Sequence, residues 1–345
     1  MKKYYIIALL ALVIFASGCV QSSAVFTDSI NKIKSLESGS GYLIEYSMTS
    51  KTDLNDKLSQ SLSAEGSAKA VADLTAMMPS ITLKVSSAKK GYKRFSSIDM
   101  SDLIGTLGSS LKPFPVKSSA IYMDLGAKNV TICLGLTSNN TLICTQADLK
   151  GKYNATKEIE DEVEASQKFL QQNPINMVKK VKELLDKGII TLSAQSTKEI
   201  NVGGSTASCD SISYQIPDIN RLSPKEILSA AGQIGQQYGS DQMPEDQISK
   251  FAAIFKQMIK NIRGEICIDK KSGVPLTYEE SSEMDMSVFG KLSGSLGNQS
   301  KIPDGAGMTI KMSTVATKLK TPIDNSELAV PENAVISADG FGLGQ

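Results

Sequence analysis

Few residues in this chain can do chemistry. It contains no histidine, so neither a Ser-His-Asp triad nor a Cys-His pair can be assembled, and no Gly-x-Ser-x-Gly elbow occurs. Ser86-Ser-Ala-Lys89 has the spacing of a Ser-Lys nucleophile pair but lacks the Ser-Asp-Asn and Lys-Thr-Gly elements that accompany such a pair. Glu279 and Glu283 are paired carboxylates in a stretch that otherwise reads as a solvated strand. The acidic group from Glu158 to Glu164 suits the first turn of a helix, where it opposes the positive end of the dipole. No nucleophile, base and orienting group converge, so the chain reads as a non-enzyme. The informative residues are the five cysteines, Cys19, Cys133, Cys144, Cys209 and Cys267. They form no Cys-x-x-Cys, and without histidine they match no zinc pattern, so neither a metal nor a cofactor is expected.

Cys19 closes an apolar run. Lys2 and Lys3 precede an uncharged stretch from Tyr4 to Ala16, which shrinks to Ser17, Gly18 and Cys19. That is the three-part plan of a signal peptide, and the stretch is well short of the roughly 20 residues that span a bilayer as a helix. Ala16-Ser-Gly-Cys19 resembles the lipobox of prokaryotic lipoproteins. The resemblance implies lipid attachment at Cys19, cleavage just before it, and anchoring outside the cytoplasm on the cell membrane. Two acyl chains on one residue would hold stably where one holds marginally. Residues 1–18 are thus expected to be the signal and 19–25 a lipid-anchored tether.

The other four cysteines are an even number in a chain routed to an oxidising space. In NVTICLGLTSNNTLIC the alternation gives two strands around a Thr-Ser-Asn-Asn turn, and a turn centred on Ser138 and Asn139 sets Cys133 opposite Cys144. Cys209 alternates with Ile212, Tyr214 and Ile216 on the other side of its strand, and Cys267 with Ile266 and Ile268. The phase predicts disulfides Cys133–Cys144 and Cys209–Cys267, both on the polar outer surface of a sheet.

Charge is balanced, with 37 basic and 36 acidic residues, so nucleic acid is not an expected partner. Sequons at Asn129, Asn139, Asn154 and Asn298 are candidate glycosylation sites if the host has the machinery. Phe26, Ile30, Ile33 and Leu36 mark one face of a helix that Gly39 stops. Period-two runs follow from Tyr42, Ile81 and Ile121, and again from Ile189 to Ile216. A charged helical stretch, Lys157 to Lys187, is interrupted at Pro174. Leu222-Ser-Pro-Lys-Glu-Ile227 has the form of a capping box and hydrophobic staple. A second helix is expected to present Ile248, Phe251, Ala252, Phe255, Met258 and Ile262, before two strands joined at Asp269-Lys-Lys-Ser-Gly273. The sum is α+β, with eight to eleven mostly antiparallel strands in one curved sheet and helices on one face. Residues 26–335 form a single domain, and 336–345 a flexible tail.

That order of elements, with Cys267-Ile-Asp269-Lys-Lys-Ser-Gly273-Val-Pro275-Leu276-Thr-Tyr278 and the closing MTIKMSTVATKLKTPIDNSELAVP, resembles the LolA/LppX-like lipoproteins. The resemblance implies an unclosed half-barrel with helices packed on its concave face and an apolar cavity for a lipid or lipopeptide. Apart from that likeness, Met123, Met284, Met286, Met308 and Met312 fall on strand faces beside Phe255 and Met258 of a helix. Flexible thioethers suit an alkyl chain, and the same residues suit a packed core. Two readings stand: a membrane-anchored binder or carrier of an apolar ligand, and an envelope sensor or structural lipoprotein acting through protein contacts.

Overall fold

The computed structural model describes residues 23–64, 81–102, 116–136, 142–148, 174–224, 245–288 and 302–337. Outside them lie the signal segment, Cys19, Asn139, Asn154, Asn298, Lys157 to Asn173, Glu226 and Ile227 of the capping box, and the tail from 338.

Twelve strands form one open sheet. Six run outward in chain order: β1 (Tyr42–Leu54), β2 (Ile81–Lys90), β3 (Lys93–Asp99), β4 (Val116–Asp124), β5 (Asn129–Leu136) and β6 (Leu142–Asp148). The chain then begins again at the opposite edge with β7 (Thr191–Val202), β8 (Ser205–Ile216), β9 (Ile259–Asp269), β10 (Pro275–Asp285) and β11 (Gly307–Lys320). This second meander ends against the first, because β11 pairs antiparallel with β1. The short β12 (Val335–Ile336) adds in parallel to β6, giving the order 12-6-5-4-3-2-1-11-10-9-8-7. The result is α+β, with a large, curved, unclosed and mostly antiparallel sheet.

Register divides the sheet into two unlike faces. On one lie Ile44, Tyr46 and Met48 of β1, Leu83 and Val85 of β2, Ile121 and Met123 of β4, and Ile212, Ile266 and Met308 of their strands. The other carries Glu45, Lys51, Lys84, Arg263, Glu265, Glu279, Glu283, Lys311 and Lys318. This alternation, mainly apolar on one side and rich in charge on the other, is what an antiparallel sheet with one wet face requires.

The described helices join clusters built on the apolar face. The first, α1, covers residues 23–38 and brings Phe26 against Val178, Ile212, Ile266 and Tyr278. The others are α2 (Asp56–Ala64), α3 (Pro174–Asp186) and α4 (Glu245–Met258). Val178 and Val181 of α3 join the cluster of Phe26, whereas Leu58 of α2 and Phe255 and Met258 of α4 pack with Met284 and Met308. On the charged side, residues 321–337 lie over the first meander. Ile323 and Leu328 pack with Leu43 and Ala88, and Val330 and Ala334 reach Cys133 and Cys144.

Several boundaries differ from the periodicity. Helix α1 begins within the expected tether, and Ile336 pairs in β12 instead of opening a tail. Ile262 shares the apolar face of α4 by spacing, but the helix ends at Met258 and β9 starts at Ile259 without a loop. Ile259 and Ile262 pair with Met284 and Ser282 of β10, and these ladder bonds override a helical pattern in a β-branched stretch. Met286 falls beyond the end of β10 and packs against the α4 cluster from a turn.

Candidate ligand-binding face

The apolar face holds the principal candidate site. Among the described residues, the charged side chains that register places on this face of β1 to β6 and β8 to β11 are Lys89, Arg94, Asp210 and Glu280. Lys89 and Arg94 stand beside the turn at 91–92, Asp210 lies in mid-β8 and pairs at 3.3 Å with Lys270 of the turn at 270–274, and Glu280 is in the middle of β10. Met48, Leu83, Ile98, Ile121, Ile132 and Met312 on this face are half-buried.

Glu280 is braced by two phenols. Tyr278 donates a short hydrogen bond to its Oε2, and Tyr214 donates to the same oxygen at 3.3 Å. The two hydroxyls also lie 2.7 Å apart. Burial pushes both phenols well above the usual tyrosine range, and the neighbouring Glu280 charge adds to the shift. Sequence periodicity placed these residues on strands without bringing them together. Their signal is Gly264, a glycine inside a strand, which marks a close approach. A Cβ there would stand 2.4 Å from the Tyr214 ring.

The residues expected to line one cavity divide into three places. Phe255, Met258, Met284 and Met308 are buried in a single cluster, with Met286 packed against it. Met123 packs separately with Leu125, and Met312 stands half-buried elsewhere on the face. A shallow pocket of ≈ 180 Å³ lies near the C-terminal segment, with Lys93, Tyr122, Asn129, Thr131, Gln146 and Val330 in its lining. Asn129 is the one sequon asparagine among the described residues.

The Ser-Lys spacing does not make a pair. Three residues apart on β2, Ser86 and Lys89 point to opposite faces. Lys89 instead forms a salt bridge of 2.9 Å with Glu37 of α1. Glu279 and Glu283 share the charged face, four residues apart on an extended strand, and Glu283 pairs with Arg263 at 2.7 Å. Among the described residues no group of three or more acidic, Cys or His side chains could hold a metal ion.

The disulfides are Cys133–Cys144, with Cα atoms 4.0 Å apart, and Cys209–Cys267, with Cα atoms 5.5 Å apart. They lie on the charged side of the sheet, yet all four cysteines are fully buried, a correction to their expected exposure. The C-terminal segment covers the first. Over the second, the β7–β8 hairpin curls inward: Gly203 at its tip lies against the β11 backbone at Thr317 and Lys318. Four strand spacings would separate β7 from β11 by roughly 19 Å in a flat sheet. The curl brings Ile200 and Val202 into the same cluster as Cys209 and Cys267.

Two disulfides are consistent with an extracellular protein, and among the described residues no helix is long and apolar enough to cross a membrane. No family model matches the chain, and no curated protein matches it.

Proposed function

We propose that the protein is an extracytoplasmic lipoprotein, anchored through a lipid on Cys19, that binds or carries a lipid or other apolar ligand between the sheet and its helices. The observation that carries this reading is the scarcity of charge on one face of a large open sheet, where Met48, Leu83, Ile121, Ile132, Ile310 and Met312 are only half-buried. Such a surface gains by covering itself with hydrocarbon at about 25 cal/mol per Å². The same face would serve the LolA/LppX-like role implied by the strand and turn layout.

A second reading is favoured by a different observation. Phe255, Met258, Met284 and Met308 pack with one another in one buried cluster, as a filled core does. An envelope sensor or structural lipoprotein acting through protein contacts would need no more.

Native mass spectrometry of the mature Cys19→Ser domain, made in an oxidising compartment, separates the two. A stoichiometric lipid-sized adduct, recovered by organic extraction, supports the carrier. A bare protein after challenge with several lipid classes favours the second reading.

A further inference from the structure

One row across the sheet reads Tyr214, Gly264, Glu280, Met312 and Ser50, from β8 through β9, β10 and β11 to β1. On one side of Glu280 the two tyrosines are buried in the cluster beneath α1 and α3. On the other, Met312 and Ile310 are half-buried and uncharged. A carboxylate on an apolar surface is costly to desolvate unless it is hydrogen-bonded or paired with a cation. Both phenols donate to Oε2, and no described residue donates to Oε1. The other acid on this face, Asp210, is paired with Lys270, so Glu280 is the carboxylate that rigid aromatic donors hold beside a strip of adaptable hydrocarbon.

We infer that Glu280 receives the head group of an amphiphile that carries an ammonium group, with its alkyl chain along Met312, Ile310 and Met48. This rests on the carrier reading above and deepens it by naming the ligand chemistry. An ammonium would meet the second carboxylate oxygen through a charge-assisted hydrogen bond, stronger than a neutral one. An anionic head in the same place would face Glu280 without a described mid-strand cation to offset it.

The test is isothermal titration of the mature Cys19→Ser domain with dodecylammonium and with dodecyl sulfate, both below their micelle-forming concentrations. Dodecylammonium is expected to bind at least about 10-fold more tightly, and Glu280→Gln to abolish most of that preference while retaining binding through the shared alkyl chain. Equal affinities in the wild-type domain, or tighter binding of the sulfate, overturn the inference and leave the carrier reading standing. Binding of neither amphiphile overturns both. A preference that survives Glu280→Gln assigns it to another group and also overturns the inference. If Glu280→Gln does not fold, the wild-type comparison of the two head groups still decides.

Discussion

Tyr214 reaches Glu280 across an intervening strand. The residue between them in register is Gly264, and the tyrosine ring occupies the space that a side chain there would fill. Gly264→Ala is therefore expected to destabilise the domain by about 1–3 kcal/mol through overpacking. In the Tyr214→Ala background the ring is gone, and the cost of Gly264→Ala should largely vanish. Urea denaturation of the two single variants and the double variant measures this coupling. Additive losses would show that the glycine serves the backbone and not the ring.

The same pair sets a prediction at alkaline pH. Burial raises the Tyr214 and Tyr278 phenols well above their usual value, and it raises Tyr46 likewise. A raised folded pKa means that the folded state prefers the proton: this contribution to stability is complete below pH ~10 and declines as pH rises toward the folded values. Absorbance at 295 nm follows phenolate formation through an alkaline titration. These three buried phenols should ionise only with the loss of native structure. Reversible ionisation of these three phenols near pH ~10, with the far-ultraviolet spectrum unchanged, would contradict the burial argument.

The disulfides differ in the loop they close. Cys133 and Cys144 are 11 residues apart in sequence, and Cys209 and Cys267 are 58. Chain entropy alone assigns losses of about 3 and about 4 kcal/mol to removing them. The double substitution of Cys209 and Cys267 by Ala should thus lower the urea midpoint more than that of Cys133 and Cys144. The reverse order would show that packing beneath Val330 and Ala334 outweighs loop closure.

Much of this architecture is written as local alternation, and what is not local was not legible. Tyr42 to Met48 and Asn129 to Leu136 show their strand phase directly, and phase alone sets Cys133 against Cys144. Pairing between β1 and β11 joins residues more than 250 positions apart, such as Ser50 with Met312, and no short window contains it. The burial of the Cys209–Cys267 disulfide depends on the curl that brings Gly203 to Thr317, a tertiary effect that strand polarity cannot report. The bracing of Glu280 likewise needs three strands in register. Composition could have suggested only that Gly264 marks something close.

The turn at 269–273 ties the sheet to the helix nearest the proposed anchor. Ser29 of α1 donates to the Gly273 carbonyl at 2.6 Å, and Lys32 donates to the Lys270 carbonyl at 2.7 Å. Asp269 holds the turn by accepting from the Ser272 amide and hydroxyl. Gly273 has a φ of 74°, and a Cβ there would lie 2.7 Å from the Ser29 carbonyl oxygen. Ser29→Ala leaves the Gly273 carbonyl without that buried donor, at a cost of about 1–3 kcal/mol. Gly273→Ala adds left-handed strain and a backbone clash, so it should cost more and loosen α1 from the sheet. Hydrogen exchange should then accelerate across residues 23–38 while β3 to β5 keep their protection. Uniform acceleration over the whole sheet would mean that α1 and the sheet open as one unit, and that this contact is not a separate latch between them.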